Sequence, residues 1–218
     1  MVERVGRWNL IGIELARHVP FTAFGAATGF IIMLAIIFSK APAELSNALF
    51  YTLHPLHVVL SALVTTAMYR IYGKSKLWLV VLIGYTGSIG IATLSDAIIP
   101  YLGGSLLQVQ MEFHAPFMET TRMPFLGVEK WVVINLAAVI GIVIGWWKPA
   151  TRFPHAGHVL LSTWASLFNF TAFGVVRWVP LLPLVLLFLF LAVLIPCCLS
   201  DIIYPLIFVG SKHGHIHH

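Results

Sequence analysis

The sequence contains very little charge for its length. Only 10% of its 218 residues are Asp, Glu, Lys or Arg, and 59% are apolar, whereas soluble domains carry about 25% charged residues. Aspartate occurs only at Asp96 and Asp201, and the only cysteines are the adjacent pair Cys197 and Cys198. Motifs for phosphate binding, Ser-His-Asp hydrolysis and paired CxxC metal sites are absent. The composition therefore leaves no room for a sizeable soluble domain and favours an integral membrane protein.

Apolar runs account for most of the chain. A helix needs about 20 apolar residues to cross a bilayer, and six runs approach or exceed that length: 20–40, 52–72, 77–100, 130–148, 156–177 and 179–208. The last run contains Pro183, Pro196 and Pro205, which predict a kinked or broken helix. Before the first run, Val5, Trp8, Ile11 and Leu15 have the spacing of an amphipathic helix at the membrane interface. We predict an all-α integral membrane protein with six transmembrane helices and an interfacial N-terminal segment, 1–19.

The distribution of basic residues predicts the orientation. One side of the six-span arrangement has nine Lys or Arg residues and the other has four: Arg4, Arg7, Arg17, Arg70, Lys74, Lys76, Lys148, Arg152 and Lys212 against Lys40, Arg122, Lys130 and Arg177. The richer side is expected to be cytoplasmic, so the sequence predicts a multi-pass protein with both termini in the cytoplasm. The net charge of +5 is then explained by the basic residues on the cytoplasmic side of the membrane. The expected partner is therefore the lipid bilayer and not nucleic acid.

Two phrases occur twice in the same order. HVVLSA at 57–62 matches HVLLST at 158–163, and LSDAIIP at 94–100 matches LSDIIYP at 199–205. RHVPF at 17–21 also resembles TRMPF at 121–125. We predict a first three-helix repeat at 20–108, a connecting loop at 109–128 that can re-enter the membrane, a second repeat at 129–210, and a His-rich cytoplasmic tail at 211–218. An odd number of spans per copy makes this an inverted repeat.

Each predicted repeat contains a histidine pair and an aspartate. His54 and His57 share a helix face, and Asp96 ends the next span, so the three are expected to meet near the outer membrane face. The equivalent residues His155, His158 and Asp201 are expected to meet near the inner face. Two imidazoles and a carboxylate are a common donor set for first-row metals. An aspartate at membrane depth costs about 2.5–3.5 kcal/mol, which a cation or a histidine would offset.

Further donors are expected near these sites. The connecting loop adds His114 to the metal-ligand set, and auxiliary ligands are expected in that loop, in the N-terminal segment and in the tail: Glu112, Glu119, Glu14, His18, His213, His215, His217 and His218. A histidine-rich tail suits transient capture of a divalent ion.

Simpler interpretations of the same residues remain open. A repeated Ser-Asp can cap a helix or a turn, and histidines at span ends are often interfacial. The Cys197–Cys198 pair suits packing, with a thiolate ligand beside Asp201 as the alternative. Gly84, Gly87 and Gly90 form a small-residue stripe that favours close helix packing.

Three functions fit these patterns. The first is a divalent transition-metal transporter or channel, for zinc or iron in preference to manganese, nickel or cobalt, with pseudo-symmetric His/Asp sites near the two membrane faces. The second is an intramembrane metal-dependent enzyme of hydrolase type, with Glu112 or Glu119 as general base. The third is an electron-transfer subunit that binds quinone or haem, the latter between pairs such as His57 and His114. A homo-oligomer, or a subunit of a larger membrane complex, is compatible with each.

Overall fold

The computed structural model describes residues 7–39, 42–73, 76–106, 113, 115–123, 126–173 and 182–209. This part of the chain is helical and contains no strand, which confirms the all-α prediction. Its long helical segments, in chain order, are α1 (Arg7–Phe38), α2 (Ala43–Tyr72), α3 (Leu77–Leu106), α4 (Lys130–Trp147), α5 (Arg152–Phe173) and α6 (182–207).

Four of these segments are long and apolar enough to cross a membrane: α2, α3, α4 and the Phe190–Ile207 part of α6. The chain is therefore multi-pass by length and composition. Helix α1 contains a shorter apolar stretch, Ala23–Ile36, and α5 has many polar residues among its buried positions. Six crossings and the orientation of the termini remain predictions.

Helix boundaries differ from the sequence prediction at two places. Helix α1 continues through the expected boundary between residues 19 and 20, although Pro20 lies inside it. The interfacial position of 1–19 stays a prediction. Helix α2 begins at Ala43 and not near residue 52, so its histidines lie near its midpoint, roughly 20 Å from either end at 1.5 Å per residue.

Helices α2 and α5 form the centre of the molecule and pack along each other. Helix α4 packs against α2, and α1 packs against α5. Each of these contacts uses a pair of glycines four residues apart. A methyl group on Gly141 of α4 would lie 2.2 Å from the Val59 carbonyl oxygen, and one on Gly25 of α1 would lie 3.4 Å from Leu160 Cα. Such pairs let two helix backbones approach closely, and here they occur at matched places in the two halves.

Helices α3 and α6 are interrupted by π-helical turns. In α3 these turns are Thr86–Gly90 and Leu94–Ile98, and in α6 the turn is Leu199–Ile203. Two of them coincide with the repeated LSDxI phrase. A π turn widens the helix and leaves carbonyl groups without their usual partners, and it occurs often at functional sites. The predicted break in α6 is thus a π turn between Pro196 and Pro205.

The connecting loop is attached to α2 and α4 through Glu119. Its carboxylate accepts hydrogen bonds from Lys130 Nζ at 2.7 Å, Thr121 Oγ1 at 2.6 Å and Tyr51 Oη at 2.7 Å. Partial burial by itself raises the pKa of Glu119, but the hydrogen bonds from Lys130, Thr121 and Tyr51 outweigh it and hold this pKa below its ordinary value of 4.5. The ionised carboxylate therefore stabilises the loop.

We expect Glu119→Gln to lower the free energy of unfolding by about 1–3 kcal/mol at neutral pH. Because the folded-state pKa is depressed, this contribution is present above pH 4.5 and is lost as the pH falls through the folded-state pKa. Thermal unfolding in detergent, measured from neutral to acidic pH, checks this. Glu44→Gln, at an exposed glutamate in the first turn of α2, is the control. A difference between wild type and Glu119→Gln that stays constant into acid would contradict the assignment.

Candidate metal centre

Each aspartate accepts hydrogen bonds from both histidines of its own half. His54 Nδ1 and His57 Nδ1 lie 2.9 Å and 2.6 Å from Asp96 Oδ2. In the second half, His155 Nδ1 and His158 Nδ1 lie 2.7 Å and 2.5 Å from Asp201 Oδ2. All six residues are buried, with exposures of 0–1%. The groupings of histidine pair and aspartate that the repeat predicts are therefore present in both halves.

The two groups form one cluster. His57 Nε2 lies 2.6 Å from His158 Nε2, and the two rings meet through these nitrogens, with centroids 4.5 Å apart and ring planes at 20° to one another. The expectation of separate sites near opposite membrane faces is wrong. Sites at the two faces would be about 30 Å apart, the thickness of a bilayer core, whereas these two groups are in direct contact. Since α2 begins earlier than predicted, His57 lies deep in the molecule and reaches its counterpart on α5.

Hydroxyl groups from each central helix contact the aspartate of the other half. Ser162 and Ser166 of α5 donate to Asp96 Oδ1 at 3.0 Å and 3.1 Å. Thr65 of α2 lies 3.4 Å from Asp201 Oδ1 and donates to it. Thr65 and Ser166 are separated by the same 101 residues as His57 and His158. Equivalent positions on α2 and α5 therefore each donate a hydrogen bond to the aspartate of the other half.

Two of these hydroxyls, on Ser166 and Thr65, also lie near backbone carbonyl oxygens of the π turns. Ser166 Oγ lies 3.4 Å from the Ser95 carbonyl oxygen, and Thr65 Oγ1 lies 3.3 Å from that of Ser200. Asn169 Nδ2 also donates to the Asp96 carbonyl at 2.7 Å. The Asn169 bond satisfies a backbone group at the turn that holds Asp96, because buried carbonyl groups need partners. Ser166 and Thr65 have one O–H each, which is shared between a carboxylate and a carbonyl oxygen.

The capping interpretation of the repeated Ser-Asp is wrong. Asp96 and Asp201 lie inside π turns, and the residues that precede these turns, Thr93 and Cys198, make no side-chain cap. The carboxylates instead accept from imidazoles and hydroxyls. The interfacial interpretation of the histidines also fails, because all four are buried.

The donor and acceptor roles in these hydrogen bonds determine which imidazole nitrogens at the centre of the cluster are free to bind a cation. A carboxylate accepts hydrogen bonds, so the imidazole nitrogens that face Asp96 and Asp201 act as Nδ1–H donors. A neutral imidazole with hydrogen on Nδ1 has a lone pair on Nε2. His57 and His158 thus direct two lone pairs at each other across 2.6 Å, an arrangement that requires a proton or a metal cation between them.

The centre fits a transition metal. Histidine ligands commonly bind metal through one ring nitrogen and donate from the other to a carboxylate, which is how His57 and His158 are held. A tetrahedral ion with metal–nitrogen bonds of 2.0–2.1 Å would separate the two Nε2 atoms by roughly 3.3 Å, so the rings would move apart by less than 1 Å. Asp96 and Asp201 are then placed to orient the ligands and supply charge, not to bind the ion directly.

Two further combinations of donor atoms lie close enough to hold an ion: His54–His57–Asp96 and His155–His158–Asp201. In both, the nearby atoms are those already joined by the Nδ1 to Oδ2 hydrogen bonds. A metal there would have to replace these bonds. The third combination, His57–His158–Cys197, contains the two imidazoles whose Nε2 atoms face each other, and it needs neither of these hydrogen bonds to be replaced.

The other predicted ligands are not part of the described cluster. Glu119 is bonded to Tyr51, Thr121 and Lys130. Glu112, His114 and the tail histidines His213, His215, His217 and His218 lie outside the described residues, and so do the side chains of Glu14 and His18.

Sequence reasoning missed Thr65, Ser166 and Asn169. A signal was present for the first two, because Thr65 and Ser166 each lie eight residues after the second histidine of their pair and therefore on a neighbouring part of the same helix face. Asn169 has no such counterpart, since Met68 stands at the equivalent place.

Comparison with known proteins gives no relative: no protein-family model, no curated protein and no solved structure matches the chain. The described part of the chain is all-helical, has four helices long and apolar enough to cross a membrane, and contains a buried His/Asp/Cys cluster that can hold a metal ion.

Proposed function

We propose that the chain is a membrane transporter for a divalent transition metal, which it carries through one central site between two three-helix halves. The observation that supports this most strongly is the facing pair of Nε2 atoms of His57 and His158, 2.6 Å apart. Each imidazole is contributed by a different half and oriented by its own aspartate. An ion bound there would touch both halves at once.

Charge supports a divalent ion. Asp96 and Asp201 place two carboxylates, which carry two negative charges when ionised, inside the buried cluster. Isolated charge of this size is very costly in a low-dielectric interior, and a divalent cation between the imidazoles balances it. Imidazole ligands favour transition metals over calcium and magnesium, which prefer oxygen.

The arrangement of the helices supports transport. Transporters with inverted repeats bind substrate near the bilayer midplane, where the repeats meet and helices are interrupted. The matched hydroxyl contacts, the matched glycine pairs and the π turns at both LSDxI phrases agree with that design. We infer that the halves rock about the central site, opening it to one membrane face at a time, with both termini in the cytoplasm.

Flux into vesicles tests the proposal. The purified chain is placed in liposomes that contain a zinc-sensitive dye, and zinc is added outside. We expect saturable zinc uptake above that of protein-free liposomes, and no comparable uptake of magnesium, because the site presents nitrogen donors. Tight metal binding without any flux would contradict transport.

The second candidate, an intramembrane metalloenzyme, is favoured by the finding of one joint centre, since an enzyme needs only one good metal site. It also needs a general base near the metal-bound water. Among the described residues, Asp96 and Asp201 are engaged with imidazoles, and Glu119 is bonded to other partners. Metal binding without flux would favour the metalloenzyme over the transporter.

Haem binding is less well supported. In the proposed pair of His57 with His114, the second residue lies outside the described part of the chain. His57 Nε2, the atom that would bind iron, already faces His158 Nε2.

A further inference from the structure

Cys197 lies beside the imidazole pair. Its Sγ is within 4.8 Å of a ring nitrogen of both His57 and His158, and all three side chains are buried. The thiol is free and lies 3.3 Å from Ser162 Oγ, the hydroxyl that also donates to Asp96. Cys197 is thus connected to the centre by both position and hydrogen bonding.

Cys197 breaks the match between the halves. Its counterpart in the first half, by the spacing that relates Asp96 to Asp201, is Ala92, which is 2% exposed. Packing alone explains a small buried side chain at either place. Packing does not explain why a sulfur atom lies within 4.8 Å of a ring nitrogen of both imidazoles, where a third donor completes a metal site.

We propose that Cys197 is the third metal ligand and that the resulting donor set, two imidazole nitrogens and one sulfur, restricts the substrate to thiophilic, borderline divalent ions of the zinc type. This inference rests on the proposed metal site and deepens it. Zinc takes histidine nitrogen at 2.0–2.1 Å and cysteine sulfur at about 2.3 Å, usually with four ligands. The fourth position stays open for water, which permits exchange of the ion.

Binding proceeds with one proton released from the thiol. The metal ion replaces the hydrogen on Cys197 Sγ, a metal–sulfur bond forms, and the proton leaves to solvent. The thiolate adds one negative charge to those of Asp96 and Asp201, so the divalent ion offsets two of the three. Thiolate ligands select zinc and similar ions, whereas manganese and magnesium prefer oxygen. Cys197 is therefore the residue that determines specificity.

Cobalt substitution tests this directly. Co²⁺ bound to thiolate gives a near-ultraviolet sulfur-to-metal charge-transfer band, which nitrogen ligands alone do not give. We expect the band in the purified full chain, its loss in Cys197→Ser and its retention in the matched control Cys198→Ser. The C-terminal tail has no cysteine and cannot produce the band.

The wild-type spectrum keeps the test decisive if Cys197→Ser fails to fold. Bound cobalt without a charge-transfer band, or no cobalt binding at all, would overturn the inference, as would loss of the band in Cys198→Ser only. Where Cys197→Ser does fold, the preference for zinc over manganese is expected to fall at least tenfold. A sulfur band in a protein that carries no metal into vesicles would overturn the transport proposal and keep Cys197 as a ligand. Metal flux without the band would keep the transport proposal and overturn the assignment of Cys197 as a ligand.

Discussion

Replacing either His57 or His158 with alanine is expected to lower the affinity for zinc at least about 100-fold. Each variant removes one of the two Nε2 donors that face each other across 2.6 Å, and the remaining imidazole and the Cys197 sulfur make a weaker, two-donor site. Loss of a residue that merely supports a ligand already costs 10–100-fold. Binding can be measured by zinc titration of the purified proteins, in which the tail histidines are replaced by asparagine so that they do not contribute.

Thr66→Ala is a matched control for these variants. Thr66 is also buried on α2, and its hydroxyl has no hydrogen-bond partner among the described residues. Its removal should leave zinc affinity unchanged. If His57→Ala and His158→Ala each kept half of the bound metal at full affinity, the two imidazoles would belong to separate sites.

The second large effect is expected for the aspartates. Asp96→Asn and Asp201→Asn should each weaken zinc binding about 10–100-fold, because each removes the charge that orients a ligating imidazole. The proteins should still fold, since asparagine has nearly the same shape and its oxygen accepts hydrogen bonds. Zinc affinity and thermal unfolding in detergent are the two measurements.

The two asparagine variants are not expected to be equally stable. Asp96 Oδ1 accepts from Ser95, Ser162 and Ser166 at 2.7 Å, 3.0 Å and 3.1 Å. For Asp201, the described hydroxyl donor is Thr65, at 3.4 Å. One amide oxygen cannot serve all the donors around position 96, so Asp96→Asn should lower the free energy of unfolding by about 1–3 kcal/mol more than Asp201→Asn. Failure of both variants to accumulate would favour a purely structural role.

The sequence predicted the composition of the two groups because it repeats them. The spacing of His54 and His57 along one helix face and the identical position of Asp96 and Asp201 in two phrases were enough to assign each aspartate to its histidines. The internal repeat of the sequence was therefore sufficient to predict which histidines contact which aspartate within each half.

The joining of the groups could not be predicted from the sequence. It depends on where α2 begins, and hydropathy placed that boundary nine residues late because Ala43 is followed by the polar residues Glu44, Ser46 and Asn47. These residues extend the helix without adding to the apolar run. With the later start, His57 would lie near a membrane face, and contact with His158 would be impossible.

The sequence left the role of the cysteines open between packing and a thiolate ligand beside Asp201. A Cys-Cys pair in an apolar run is usually packing, and only the position of Cys197 Sγ beside His57 and His158 distinguishes it from Cys198. The contacts of Thr65 and Ser166 across the halves arise from the packing of α2 along α5, which no local pattern encodes.

The number of zinc ions bound per chain tests the central claim most directly. It is measured by elemental analysis of the purified protein after equilibration with zinc, with the tail histidines replaced by asparagine. One joint site predicts one zinc ion per chain, lost in His57→Ala and in His158→Ala alike. Two zinc ions per chain, with one retained in each variant, would contradict the account and restore two independent sites.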